Sequence, residues 1–142
     1  MGNYDLSHFT QAHQRDFETA LSEIQAGRKT SHWMWYIFPQ IRSLGKSSTS
    51  VYYAIKNTEE AKTFLDDAYL GNNLIRICNA LLELDTNDAT SVMGRPDDMK
   101  LKSSMTLFEA TAGEGSVFSL VLDKYFDGRR DGATLRILGI KK

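Results

Sequence analysis

Residues 31–40 read Ser-His-Trp-Met-Trp-Tyr-Ile-Phe-Pro-Gln, and this stretch limits the fold more than any other part of the chain. Both tryptophans of the protein lie in it. Over positions 33–38 nearly every side chain is apolar or aromatic, so the pattern lacks the two-residue period of a half-buried strand. Pro39 has no amide donor and pushes Phe38 out of the α region, so the segment does not read as a helix either. Side chains of this bulk belong in a core or along a pocket wall, and which of the two holds decides whether the protein has chemistry.

The remainder reads as helical. Phe17, Ala20, Leu21 and Ile24 form an apolar stripe that Gly27 closes as a left-handed cap. Asn57-Thr58-Glu59-Glu60 is a capping box that opens a helix whose inner face is Ala61, Phe64, Leu65 and Ala68. Gly71 is expected to break it, with Asn72 or Asn73 capping the next helix. Leu74, Ile77, Cys78, Leu81 and Leu82 then recur at i, i+3, i+4, i+7 and i+8, the clearest amphipathic stripe in the chain.

A short turn over 87–93 is closed by Gly94. Pro96 starts a helix carrying Asp97 and Asp98 in its first turn and Leu101, Met105, Phe108 and Ala112 on its apolar face. Val117, Leu120, Val121 and Tyr125 mark a further helix ended by Gly128, and Asp131 caps a last one with Leu135 and Leu138. Only residues 50–55 read as a strand, with 36–38 as the one partner in reach. The expected fold is mainly α: a single compact multi-helix domain over residues 1–142, with at most one short strand pair.

Composition excludes several classes. The formal net charge is −1, without the basic excess of a nucleic-acid-binding domain. No run of 18 apolar residues exists to span a membrane. The first residues lack the basic and apolar regions of a signal peptide, and Leu6 breaks the myristoylation pattern that Gly2 begins. Cys78 is the single cysteine, so no internal disulfide or cysteine metal site is expected, and the chain fits a reducing cytoplasm. Among Ile75, Ile77, Leu81 and Leu82 this thiol reads as a small apolar group. His8 and His13 are five apart, off the spacing that puts two ligands on one helical face, and read as surface residues. No metal or cofactor is expected.

Two segments can carry chemistry. Gly45-Lys46-Ser47 resembles the end of a phosphate loop, but Gln40 stands where that loop needs its first glycine. His32 is stronger: it follows Lys29 and Ser31 and precedes the aromatic run, and imidazole suits acid–base work near neutral pH. The structural alternative is that its ring bonds a backbone carbonyl and fixes the loop. The second segment is 99–108. On a helix Lys100, Ser103 and Ser104 fall near one edge and Lys102 and Thr106 near another, which suits phosphate or carboxylate oxygens. Its structural alternative is a solvated face whose serines bond back to helix carbonyls.

The sequence therefore leaves two function classes open. The first is a pocket for an anionic, nucleotide-like small molecule, with phosphate-ester or glycosidic chemistry as the reaction these groups suit. Trp33, Trp35 and Tyr36 would be its walls and His32 its catalytic acid or base. Lys29, Ser31, Arg42, Lys100, Lys102, Ser103 and Ser104 would hold the anionic groups. The second is a non-catalytic helical module that docks a protein partner through its aromatic segment. The pocket requires the aromatic turn to fold against the lysine- and hydroxyl-bearing segment near residue 100.

The run Gly-Arg-Lys-Thr-Ser-His-Trp-Met-Trp-Tyr-Ile-Phe-Pro-Gln at 27–40 also carries a resemblance. With Leu44-Gly45, Ser48, Tyr53-Ala54-Ile55, Glu60-Ala61, Leu65, Leu70-Gly71, the block 100–108 and the segment 118–128, it resembles the signature of domain-of-unknown-function family 1810. The resemblance covers nearly the whole chain and implies a cytosolic protein with a mainly helical fold. It brings no established activity. Members are often labelled calpastatin, but true calpastatin is long, repetitive and disordered, and this chain is short, non-repetitive and rich in core-forming aromatics. Where the family has His-Pro before Leu70, this chain has Asp67-Ala68-Tyr69, so no role tied to that loop carries over.

Overall fold

In a computed structural model, which describes residues 4–140, the chain winds into α1 (Ser7–Gln25), α2 (Met34–Ile37), α3 (Ser48–Tyr52), α4 (Thr58–Asp66), α5 (Leu70–Glu83), α6 (Ala89–Met93), α7 (Asp97–Ala112), α8 (Val117–Phe126) and α9 (Gly132–Leu138). Gly2 lies outside the described residues. The fold is mainly α, as expected. Among the described residues there is no sheet, and a single parallel bridge joins Ile41 to Ile55. No helix among them is long and apolar enough to cross a membrane.

The helices assemble around α7, which packs against α4, α6, α8 and α9, while α5 packs against α1, α4 and α8. The stripe Leu74, Ile77, Cys78 and Leu81 on α5 is wholly buried and joins Phe9, Phe17, Phe64 and Phe108 in one contiguous apolar core. Cys78 sits there with Met105 at 3.7 Å, and burial pushes its thiol up, so it stays protonated.

Several expectations are corrected. The segment 31–40 does contain helix, the single turn α2. Residues 50–55 are not a strand: the Ser47 side chain accepts from the Ser50 amide and opens α3, and only Ile55 pairs, with Gln40 and Arg42 rather than with 36–38. Gly71 does not break a helix. Asp67 accepts from the Tyr69 and Leu70 amides and starts α5, which places Gly71 in its first turn. Ala68 and Ala112 are exposed, and Leu120 points to solvent while Phe118, Val121, Leu122 and Tyr125 face inward.

The face of α7 expected to be solvated is interior. Ser103, Ser104 and Thr106 are buried. Ser103 donates to the Met99 carbonyl at 3.2 Å and Thr106 to that of Lys102 at 2.8 Å, so helix carbonyls satisfy these two hydroxyls, while Ser104 Oγ has no hydrogen-bond partner among the described residues. Thr106 also accepts from the Asp131 amide, fastening the start of α9 to α7.

His13 is a core residue rather than a surface one. Its Nε2–H donates to the Tyr36 carbonyl at 2.8 Å, Asn73 donates to its Nδ1 at 3.1 Å, and its ring stacks on Phe17. Burial outweighs the hydrogen bond and the nearby Asp67 carboxylate and lowers its pKa to about 4. An unfolded histidine titrates near ~6.5. Between these values the unfolded chain takes a proton that the folded chain refuses. The contribution of His13 to stability is therefore expected to fall as pH drops from ~6.5 to ~4, by about 3 kcal/mol in all, with nothing further lost from this group below. Urea midpoints across this range check it: His13→Gln should flatten the wild-type slope by that amount, and an unchanged slope contradicts the assignment.

Candidate functional site

The site begins with how the loop after α1 is held. Gly27, at φ +86°, turns the chain off the end of α1, a conformation that only glycine adopts freely. Glu23, in the last turns of α1, then organises residues 30–33. Its carboxylate accepts from the Thr30 amide (2.8 Å), the Ser31 amide (3.0 Å), the Ser31 hydroxyl (2.5 Å) and the Trp33 indole N–H (2.9 Å). Burial alone would raise this carboxyl, but the donors, led by the Ser31 hydroxyl, hold it down at about 2. From the other side the Lys29 amide donates to the Val92 carbonyl of α6.

The loop delivers the aromatic residues to different places. Trp33 is 1% exposed, its ring 6.1 Å from that of Phe38. Trp35 is half-buried. Tyr36 is buried; its hydroxyl donates to Asp16 and lies 3.2 Å from the His32 carbonyl oxygen. Burial and the Asp16 carboxylate push this phenol up to about 12, so it stays protonated.

The aromatic turn meets the first turn of α7 through charge. Lys29 Nζ lies 2.8 Å from Asp97 Oδ2 and 2.5 Å from the Ser31 carbonyl oxygen, with the Trp33 ring 4.8 Å away. Lys100 Nζ lies 3.2 Å from Asp97 Oδ1 and 4.2 Å over the Trp35 ring. Two ammonium groups thus share one carboxylate, so the residues that border the cleft carry one positive charge in excess. The Lys29 side chain is 6% exposed, so its charge acts through a low dielectric. These groups border a cleft of about 320 Å³ with His32, Tyr36, Ser47 and Thr49.

Of the residues singled out in the sequence, the cleft brings together Lys29, His32, Trp33, Trp35, Tyr36 and Lys100. It does not include the others. Ser31 is spent on Glu23. Arg42 donates to the Lys56 carbonyl and borders a separate cavity. Lys102 is not among the cleft's walls, and Ser103 and Ser104 are buried in α7. The structural alternative for His32 is also replaced: the ring is exposed, no hydrogen bond or ion pair holds it among the described residues, and Glu23 fixes the loop instead. The sequence reading missed Glu23, Ser47, Thr49 and the linking role of Asp97. Only Asp97 left a signal, its i, i+3 spacing to Lys100.

Among the described residues no group of three or more histidine, cysteine, aspartate or glutamate side chains is placed to hold a metal ion. Fold and site define a class: a helical bundle whose aromatic turn is bolted to the start of its central helix by the Lys29–Asp97 ion pair and by Lys100 over the Trp35 ring. The family described as "protein of unknown function (DUF1810)" matches residues 3–138, and the chain belongs to it. It is similar to a solved structure, the conserved hypothetical protein Rv1873 from Mycobacterium tuberculosis, with 36% identity and a TM-score of 0.94 over 99% of this chain and 100% of that one. No curated protein matches.

Proposed function

We propose that the cleft between the aromatic turn and the start of α7 binds a small anionic, ring-bearing molecule of nucleotide type. The observation that carries this reading is the sharing of Asp97 by Lys29 and Lys100 beneath Trp35. It leaves a net positive charge beside a flat aromatic wall, the pairing that a phosphate and a base together require. Lys100 and Lys29 would take the anionic oxygens, Ser47 and Thr49 would donate from the α3 side, and Trp35 would stack the ring. His32 stands at the mouth, where a ligand could orient its ring for proton transfer.

The test is thermal shift against pyrophosphate and nucleoside mono- and diphosphates. A ligand at 100 times its Kd adds about 2.7 kcal/mol, which raises Tm by roughly 5–10 °C for a chain of this length. Lys100→Ala should abolish the shift and Lys102→Ala should preserve it. No shift with any phosphate compound, or equal loss in both variants, removes the reading. Recovery of the ligand unchanged makes this a binding protein; conversion that His32→Ala abolishes makes His32 the acid–base group.

The docking-module alternative loses most of its aromatic segment to the core, where Trp33, Tyr36 and Phe38 are buried, and is left with Val51 and Tyr52, each 63% exposed on α3. Under the small-molecule reading, Val51→Ser with Tyr52→Ser leaves the phosphate-induced shift intact.

A further inference from the structure

A second cavity, also of about 320 Å³, lies under the loop 40–45, α3 and the residues around Ile55. It shares only Trp35 with the anion cleft. We propose that it is a separate binding site for a neutral planar ring that carries an amide edge, such as a lactam or a carboxamide.

Backbone pairing builds the floor. The Ile55 amide donates to the Gln40 carbonyl at 2.9 Å and the Arg42 amide to the Ile55 carbonyl at 2.8 Å. These two bonds fix the Gln40 backbone and so limit where its side chain can reach. Gln40 lines the cavity and is 5% exposed, yet its Nε2 has no hydrogen-bond partner. A buried amide donor left in this state is costly and calls for an explanation. A side-chain amide offers a donor and an acceptor side by side. The orphaned Nε2–H calls for a carbonyl oxygen, and a ligand N–H next to that carbonyl would pair with the Oε1 beside it, so the matching edge is another amide edge.

The other walls agree with a ring rather than an ion. Trp35 and Tyr53 supply aromatic side chains. Gly45 lets the loop lie against the indole: a Cβ there would come within 3.1 Å of the Trp35 ring and 2.6 Å of the Ser50 Cβ. The Ser50 hydroxyl is already spent, donating to the Ser47 carbonyl. The cations stand at the rim, because Arg42 is exposed with its Nε on the Lys56 carbonyl, and the Lys56 ammonium is exposed 3.8 Å from Glu60. A charged ligand would have to leave those groups behind to reach Gln40. The volume suits a single ring with small substituents, at the lower end of small-molecule sites.

Ligand-observed NMR together with protein-observed 15N-correlated spectra, with nicotinamide and uracil as probes and toluene as a ring without the amide edge, tests the site on the intact chain. Nicotinamide or uracil is expected to bind and to shift the Gln40 side-chain amide resonances, identified as those missing from Gln40→Met. That variant keeps the side chain's length and removes its polar end. It should weaken probe binding by about tenfold or more while leaving the pyrophosphate response unchanged and Tm equal or higher, since the orphaned donor is gone; Lys100→Ala should lose the pyrophosphate response and keep probe binding. Toluene binding as well as the amide rings, undiminished binding to Gln40→Met, or Gln40 resonances that stay in place would each overturn the proposal. Loss of the pyrophosphate response alone would touch only the anion cleft.

Discussion

Trp33→Ala is expected to destabilise the protein by about 4 kcal/mol, within the range for deleting a buried tryptophan from a core, and to lower Tm by roughly 10–15 °C. Three losses add up. The indole is 1% exposed, so its removal opens a cavity beside Phe38 that the bundle fills only in part. The Glu23 carboxylate loses its indole donor at 2.9 Å and keeps those from Thr30 and Ser31. Lys29 loses the ring 4.8 Å from its ammonium group and is left held by Asp97 and the Ser31 carbonyl. Trp33→Phe separates these terms. It keeps most of the volume and removes the N–H, and is expected to cost about 1–2 kcal/mol. Urea unfolding of both variants measures the difference. A cost for Trp33→Ala below about 1 kcal/mol would show that the turn is not anchored by this side chain. The same variant should lose the phosphate response, because the loop that presents Lys29 and His32 hangs from Glu23 and Trp33.

The choice between core and pocket that the aromatic run posed has a divided answer, and local geometry explains the division. Trp33, Met34, Tyr36, Ile37 and Phe38 are buried, while Trp35 is half-buried and borders both cavities. Within a helical turn, residues two apart point roughly 200° away from each other. Trp33 is therefore buried and borders the anion cleft alone, while Trp35 stays half-buried between the two cavities. The same rule separates Lys100 from Lys102 on α7. Both cannot enter one cleft, and Lys100 is the one on Asp97.

How much was legible in the sequence depends on how locally each feature is caused. The stripe on α5 was readable because one face of a regular helix is buried and the other is not. The Asn57 and Asp131 caps were readable because each accepts from an amide three residues on. α7 was only partly readable, since it is surrounded on several sides and buries hydroxyls that bond to their own helix, a pattern identical in sequence to a solvated face. α2 and α3 are four and five residues long, too short to show a period, and at α3 the Ser47 cap overrides the strand preference of Val51-Tyr52-Tyr53. The burial of His13 depends on Asn73, sixty residues away, and on a carbonyl of α2, neither of which leaves a local trace. At the site, the lysines and indoles were visible as residue types. That the turn reaches α7 through Asp97 is a tertiary fact; from sequence alone Asp97 looked like a complement to the helix end.

Gly71→Ala is expected to destabilise by about 3 kcal/mol or more, at the top of the usual cost of overpacking and against what helix propensity alone forecasts. In a helix interior alanine is favoured over glycine by about 1 kcal/mol, and Gly71 lies in the first turn of α5. The geometry reverses the sign. A Cβ at this position would stand 2.0 Å from the Leu65 carbonyl oxygen and 2.8 Å from its carbon. Those are backbone atoms of α4, so no side-chain rotation relieves the contact, and the elbow between the two helices must open. Opening it pulls on Phe64 and Leu70, both fully buried, and such overpacking costs more than propensity returns. Asn72→Ala, one position on and exposed, should change stability by less than about 0.5 kcal/mol and serves as the control. The effect should also travel. Asn73 in the same turn donates to His13, and His13 donates to the Tyr36 carbonyl in α2, so an opened elbow loosens the helix that carries Trp35. Thermal unfolding with Trp fluorescence reads both consequences. An equal or higher Tm for Gly71→Ala would mean that α4 and α5 do not meet as closely as the Leu65 carbonyl requires.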